Sequence, residues 1–162
     1  MKLCEILGED EIKINLEAED KMEAIEELID LLISVHEISL RDRDIILDVV
    51  FQRERSISTG VGDGVAIPHG AVNCINDIVG AFGISEKGID FDSFDGAPVF
   101  IVLLLLVPKV SLNKHIKTLA QVARILGQSA IRNSIRSAES SEKVLSILEQ
   151  AELEQGMKTH HM

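Results

Sequence analysis

Large aromatic residues are nearly absent from this sequence, which has five phenylalanines and neither tryptophan nor tyrosine among its 162 residues. The hydrophobic core therefore has to be aliphatic, built from isoleucine, leucine and valine. Hydrophobic residues still make up 46% of the chain, and a chain of this length buries a core without needing disulfide or metal crosslinks. The composition is that of one globular domain.

Cysteines and long apolar runs are also scarce. Cys4 and Cys74 form neither a metal-binding nor a redox motif, and this usage favours a reducing compartment. Residues 1–10 contain three acidic side chains and no apolar core, unlike a secretory signal peptide. The most apolar run, residues 99–107, is bracketed by prolines and is too short for a helix to cross about 30 Å of hydrocarbon. We expect a cytoplasmic protein without a membrane segment.

Positive charge is in deficit, since 16 lysines and arginines stand against 27 acidic residues and the formal net charge is −11. An acidic surface repels the phosphates of nucleic acids, which argues against nucleic-acid binding. Charge of this size keeps a protein soluble. It also suits the electrostatic steering of a basic partner protein.

The hydrophobic pattern predicts a mixed α/β domain. Residues 11–16 alternate apolar and polar and are typical of a short strand. A helix is expected from Asp20, which forms a D-x-x-E capping pattern with Glu23, and a second helix is expected after Ser39. Residues 99–107 are expected to form a strand buried on both faces. Further predicted segments are a glycine-rich loop at 56–64, a strand at 78–84 and a polar turn region at 86–96.

Three helical segments are predicted after the buried strand. Ser111 is expected to cap the first of them and Gly127 to end it. We predict one domain over residues 1–151, with helices covering a small sheet, followed by a polar, frayed tail at 152–162. The apolar stripe of the first of these helices comprises Leu112, Ile116, Leu119, Val122, Ala123 and Leu126.

His69 is the candidate nucleophile of this sequence. It lies between Pro68 and Gly70, so the backbone is stiff before it and unhindered after it. A neutral imidazole nitrogen is a good nucleophile near pH 7, and the phosphoramidate that it forms can pass its phosphoryl group on. From spacing alone, a Pro-His-Gly turn is more often structural than catalytic.

The residues upstream of His69 suit a phosphoryl group. Arg53 and Arg55 offer guanidinium groups, which bind phosphate better than lysine does. Ser58 and Thr59 offer hydroxyl donors. Phosphoryl transfer needs mainly such positioning and charge neutralisation from a protein. The intervening glycines match neither G-x-x-x-x-G-K-[ST] nor G-x-G-x-x-G, so they indicate no nucleotide-binding loop.

His115 falls on the predicted apolar stripe and is expected to point inward. Two interpretations stay open: a satisfied core histidine, or a buried imidazole that orients His69. A zinc site with both histidines lacks further residues at ligand spacing, so no metal is expected.

These motifs closely resemble the active-site signature of the type-2 IIA domains of the bacterial phosphoenolpyruvate-dependent phosphotransferase system, which include the fructose, mannitol and nitrogen-regulatory IIA proteins. The core of the resemblance is residues 58–70, STGVGDGVAIPHG. It continues through residues 95–99, 106–108 and 113–115, and it covers roughly residues 12–148.

The resemblance implies a mixed five-stranded sheet sandwiched by helices, with no metal or organic cofactor. It implies that His69 is the phosphorylated histidine, that Arg53 stabilises the phosphoryl group and that His115 lies beside His69 and supports it. It also implies that Ser58 and Thr59 place their hydroxyls near the phosphate.

Partners follow from the same resemblance. Members of the family accept the phosphoryl group from the small carrier HPr or its nitrogen-branch counterpart, and sugar-transport members pass it to a cysteine of a IIB domain. The first hypothesis is therefore a phosphocarrier. The alternative is a nitrogen-regulatory-type IIA that acts mainly by phosphorylation-dependent protein binding, and a third is a plain metal-binding or structural α/β domain. The sugar, the regulatory target and the oligomeric state stay open.

Overall fold

The computed structural model describes residues 2–160, and helices and short strands alternate along them. In the part described, no helix combines the length and the apolar character that crossing a bilayer requires. The helices and strands in chain order are α1 (Leu3–Ile6), β1 (Ile12–Lys13), α2 (Lys21–Ser34), α3 (Arg43–Ser56), β2 (Gly60–Gly62), β3 (Val65–Ala66), β4 (His69–Val72), β5 (Val79–Ile89), β6 (Val99–Pro108), α4 (Leu112–Leu126), α5 (Ser129–Arg136) and α6 (Ser141–His160), with 3₁₀ turns at Glu9–Glu11, Leu40–Asp42 and Lys109–Ser111.

The sheet is organised around β6. Within residues 2–160 it has six strands in the order β1-β5-β6-β3-β2, and β4 also pairs with β6. Strand β5 runs antiparallel to one edge of β6, whereas β3 and β4 run parallel to its other edge, one after the other. Val65 pairs with Ile101, and His69 pairs with Leu105. The mixed sheet is confirmed, and it has six strands rather than five because two short strands share one edge of β6.

Strand β6 is buried on both faces, as its apolar run predicts. Every residue from Ile101 to Val107 is at most 1% exposed. Alternate side chains enter two aliphatic clusters: Val102, Leu104 and Leu106 pack with residues of α2 and α3, while Leu103 and Leu105 pack with residues of α1, α4, α5 and α6. Helices therefore cover both faces of the sheet.

Strand boundaries differ from the prediction where pairing comes from distant segments. The first strand has two residues, Ile12–Lys13, fewer than predicted. The strand predicted at 78–84 extends to Ile89, into the region predicted as a polar turn, because Ile89 pairs with Val99 after a shift in register. Gly60–Gly62 forms a strand inside the predicted glycine-rich loop.

Helix α4 buries a different face from the one predicted. Leu112 is 41% exposed and Ile116 is 54% exposed. The buried side chains of α4 include two polar ones, His115 and Thr118, which point toward the interior. The apolar-stripe prediction is therefore partly wrong, because hydrophobicity alone does not indicate which residues meet the sheet.

Helix α6 continues past residue 152 to His160. The carboxyl group of Glu152 accepts hydrogen bonds from the backbone N–H groups of Leu3 and Cys4, which ties α6 to the start of α1. The domain boundary at residue 152 stays a prediction.

Two predicted N-caps behave differently. The side chain of Asp20 accepts a hydrogen bond from the backbone N–H of Glu23 at 2.9 Å, as the D-x-x-E pattern predicts. Ser111 makes no side-chain cap hydrogen bond, because a 3₁₀ turn already leads into α4. The prediction for Asp20 is confirmed, and the prediction for Ser111 is wrong.

Asp20 and Ser111 form a matched pair for measurement, because only the side chain of Asp20 makes a cap hydrogen bond. We expect Asp20→Ala to lower the free energy of unfolding by about 1 kcal/mol, because the N–H of Glu23 loses its acceptor. Ser111→Ala is expected to change it by less than about 0.5 kcal/mol, as is usual for a side chain without a specific contact. Urea denaturation of both variants measures the difference. An equal loss in the two variants would contradict the assigned cap.

Candidate functional site

Four of the five predicted site residues line one pocket. Arg53 comes from the last turn of α3, Ser58 and Thr59 from the segment before β2, and His69 from the start of β4. The pocket has a volume of about 300 Å³. Its other walls are the apolar residues Val61, Ile67, Leu119, Ala120 and Ala123.

The imidazole of His69 is oriented by the backbone two residues before it. Nδ1 of His69 lies 2.9 Å from the carbonyl oxygen of Ile67. A carbonyl oxygen only accepts hydrogen bonds, so Nδ1 carries the ring proton in the neutral imidazole and Nε2 keeps its lone pair. The intervening Pro68 is held in turn, since its carbonyl accepts a hydrogen bond from the N–H of Leu105 at 3.0 Å. Nε2 is therefore the ring nitrogen that is able to act as a nucleophile.

Arg53 supplies the positive charge of the pocket. Its Nη1 donates to the carbonyl oxygen of Ile57 at 2.8 Å, which fixes the guanidinium beside the end of α3. Within the described part of the chain Arg53 forms no ion pair. No carboxylate among these residues therefore neutralises the charge of its guanidinium group. Arg55, the second candidate, is not among the lining residues and lies 5.8 Å from the ring centroid of Phe51.

The hydroxyl protons of Ser58 and Thr59 are already engaged. Oγ of Ser58 donates to the carbonyl oxygen of Phe91 and accepts from the N–H of Gly60. Oγ1 of Thr59 donates to Oε2 of Glu54 at 2.6 Å. Each hydroxyl has a single proton, so in this arrangement both hydroxyls stabilise the loop. Their donation to a phosphoryl group stays a prediction.

Glu54 is a buried residue next to the pocket that the sequence motif does not indicate. It is 1% exposed, and its carboxyl group accepts hydrogen bonds from both the N–H and the hydroxyl of Thr59. A signal for it exists in the helical spacing, because Ile46, Val50 and Glu54 recur every four residues on the buried face of α3. A glutamate at such a position is rarely buried without a partner.

The glycines of the motif build a turn and are not among the pocket-lining residues. Gly62 and Gly64 have φ angles of 95° and 79°, in the left-handed region that glycine adopts without strain. They form the tight turn between β2 and β3, and Asp95 holds this turn by accepting the N–H of Asp63 at 3.0 Å. The turn brings Thr59 opposite Ile67.

His115 is buried, as predicted, with 3% of its surface exposed. It lies one helical turn before Leu119, which lines the pocket, but it is not itself among the lining residues. Its Nδ1 has no hydrogen-bond partner among the described residues. Burial lowers the pKa of His115, and the positive charge of Lys114 lowers it further, while Asp77 opposes both effects. The ring is therefore held neutral, and its support of His69 stays a prediction.

Across the described residues, no cluster of three or more histidine, cysteine, aspartate or glutamate side chains is arranged to hold a metal ion.

Comparison with known proteins identifies related chains. A family model, "Phosphoenolpyruvate-dependent sugar phosphotransferase system, EIIA 2", matches residues 5–151. The nitrogen regulatory protein of Bradyrhizobium diazoefficiens is 33% identical over 148 residues, which are 91% of this chain and 95% of that protein. The crystal structure of nitrogen regulatory protein IIA-Ntr from Neisseria meningitidis matches with a TM-score of 0.83 at 36% identity, covering 90% of this chain and 98% of that one.

A further relative is much longer than this chain. The fructose-specific EIIABC component of the phosphotransferase system from Bacillus subtilis is 32% identical over 150 residues. The match covers 93% of this chain but spans only 23% of the length of that relative.

The burial of His115 predicts a specific pH dependence. Because the pKa of His115 in the folded chain is below its ordinary value of 6.5, the unfolded chain binds this proton at higher pH. The contribution of His115 to stability is therefore complete above about pH 6.5 and is lost as the pH falls toward the folded pKa. We expect NMR titration of the ring to give a pKa below 6.5, and His115→Gln to lessen the loss of stability on acidification. A His115 pKa at or above 6.5 would contradict this account.

Proposed function

Because the chain belongs to the EIIA 2 family of the phosphoenolpyruvate-dependent sugar phosphotransferase system, we propose that it carries a phosphoryl group on Nε2 of His69 and transfers it between proteins in the cytoplasm. Members of this family are phosphotransfer components of that system. One observation carries the proposal: the contact between Nδ1 of His69 and the carbonyl of Ile67 leaves the Nε2 lone pair free in the pocket that Arg53 lines.

The transfer step needs few groups from the protein. The Nε2 lone pair forms a bond to phosphorus while the bond between phosphorus and the histidine nitrogen of the donor protein breaks. The electron pair of the broken bond stays on the donor nitrogen. The ring of His69 gains positive charge, which the carbonyl of Ile67 stabilises through the Nδ1–H hydrogen bond. Arg53 neutralises the charge on the non-bridging oxygens. In the onward step the new N–P bond breaks when the next acceptor attacks phosphorus.

His115 acts behind the pocket in this proposal. Its buried ring is neutral near pH 7, so Arg53 and not His115 supplies the positive charge for the phosphoryl group. It lies on α4, whose residues Leu119, Ala120 and Ala123 form one wall of the pocket. We propose that it supports His69 from that helix.

The partner that delivers the phosphoryl group is proposed to be an HPr-type phosphocarrier. EIIA domains of this system work with phosphocarriers and IIB partners. Around the pocket several large apolar side chains face solvent: Ile57 is 74% exposed, Val61 58% and Ile116 54%. A group of exposed apolar residues beside a reactive histidine supports docking of another protein.

Two outputs are proposed for the phosphorylated chain. In the first, a IIB-type cysteine receives the phosphoryl group, as in sugar transport. In the second, the phosphorylation state of His69 controls binding to a regulatory target, which the 33% identity to a nitrogen regulatory protein over nearly its whole length supports. The neighbouring genes discriminate between the two, since sugar permease components would favour transport.

Phosphorylation of His69 is directly testable. After incubation with phosphoenolpyruvate, Enzyme I and HPr, we expect the intact mass to rise by one acid-labile phosphoryl group in the wild type and not at all in His69→Ala. His36→Asn is the matched control, because His36 is exposed and lies outside the pocket. Arg53→Ala is expected to slow the transfer by about 100-fold, because a preorganised charge partner is lost.

Two outcomes of this experiment would contradict the proposal. Absence of a mass gain with active upstream proteins would exclude HPr as the donor, and labelling that persists in His69→Ala would exclude His69 as the acceptor.

Salt dependence tests the role of the acidic surface. With a formal net charge of −11, we expect the affinity for an HPr-type protein to weaken as ionic strength rises, because mobile ions screen attraction between surface charges. Titration calorimetry at low and high ionic strength measures the change. An affinity that does not vary with salt would show that apolar contacts alone determine docking.

A further inference from the structure

We propose that Glu54 is a positioning residue that keeps His69 in its nucleophilic tautomer through Thr59 and Ile67. The kinetic part of this inference rests on the proposed function, whereas the part that concerns the His69 ring does not.

A continuous chain of hydrogen bonds joins Glu54 to the His69 ring. The carboxyl group of Glu54 accepts the N–H of Thr59, with Oε1 at 3.0 Å. The carbonyl of Thr59 accepts the N–H of Ile67 at 3.0 Å. The carbonyl of Ile67 then accepts Nδ1–H of His69 at 2.9 Å. Three contacts of ordinary hydrogen-bond length thus connect the last turn of α3 to the first residue of β4.

The links of this chain are shielded from water. Glu54 is 1% exposed, Thr59 5% and Ile67 6%. A buried N–H that loses its acceptor has no water to replace it, so the backbone shifts to find another partner. Loss of the Glu54 carboxyl group is therefore expected to move Thr59, and a movement of Thr59 is passed to Ile67 through their shared hydrogen bond.

The carbonyl of Ile67 determines where the His69 proton lies. With this acceptor in place, the neutral ring is protonated at Nδ1 and the lone pair is at Nε2. When the carbonyl moves away, the Nε2–H tautomer becomes accessible, and in that form Nε2 has no lone pair with which to attack phosphorus. Glu54 thus acts on reactivity without touching the phosphoryl group.

Arg53 and Glu54, at the end of α3, bind different residues of the segment that follows the helix. Arg53 turns toward the pocket and holds the carbonyl of Ile57, while Glu54 turns inward and holds Thr59. Consecutive residues of one helical turn thereby fix both ends of the segment 57–59. Ser58, between them, is bound separately to the carbonyl of Phe91.

The test compares Glu54→Ala and Glu54→Gln in the full chain, with Glu27→Ala as the matched control. Glu27 also binds loop backbone, accepting the N–H groups of Glu17 and Ala18, but it is paired with Lys13 away from the pocket. The first readout is the tautomer of His69, measured by NMR of the ring nitrogens without any phosphoryl donor. We expect Nδ1–H in the wild type, Glu54→Gln and Glu27→Ala, and a mixture with Nε2–H in Glu54→Ala.

The second readout is phosphoryl transfer from an HPr-type donor. We expect Glu54→Ala to lower kcat by up to about 100-fold, because the reacting atom is misplaced, while KM for the donor protein stays unchanged because Glu54 is buried. Glu54→Gln is expected to restore most of kcat, since its amide oxygen accepts the N–H of Thr59.

The outcomes separate the two proposals. A folded Glu54→Ala that keeps the Nδ1–H tautomer and behaves like Glu27→Ala would overturn the positioning role. If Glu54→Ala does not fold, Glu54→Asp replaces it, since it withdraws the carboxyl group by one methylene, and the same readouts decide. A wild type that accepts no phosphoryl group would overturn the proposed function, and the tautomer measurement would still decide the role of Glu54.

Discussion

Burial of β6 is the constraint on which the rest of this structure depends. A run of aliphatic residues that is at most 1% exposed from Ile101 to Val107 needs cover on both faces and a paired strand along both edges. Helices α2 and α3 cover one face, and α1, α4, α5 and α6 cover the other. One edge pairs with β5, and the other pairs with β3 and then β4, which sets His69 opposite Leu105.

The pocket lined by His69 lies at the start of β4, at the border of the sheet. Strand β4 begins at His69, so its first side chain reaches the surface while its backbone stays bound to β6. The last turn of α3 and the outer face of α4 complete the pocket. The pocket therefore combines apolar walls with a few polar groups. One of these polar groups is the backbone carbonyl of Ile67, which accepts the hydrogen bond from Nδ1 of His69.

Helix α4 reverses the usual amphipathic arrangement near this pocket. His115 and Thr118 are buried, whereas Leu112 and Ile116 are exposed. A helix that serves only the core would do the opposite. In the proposed docking of a partner protein, these exposed apolar side chains supply contacts, and the acidic net charge of −11 supplies long-range attraction.

The sequence by itself determined the aliphatic composition of the core, the buried strand β6 and the N-cap of α2 at Asp20. It also determined four of the residues that line the pocket, which are Arg53, Ser58, Thr59 and His69. These features are local or depend on residue type, so a pattern is enough to predict them. Only the tertiary structure decided the two- and three-residue strands, the inward face of α4, the engagement of the Ser58 and Thr59 hydroxyls and the link from Glu54 to His69. Each of these depends on partners that the folding of the turn between β2 and β3, or the packing of a helix on the sheet, brings together, and a linear pattern does not specify such partners.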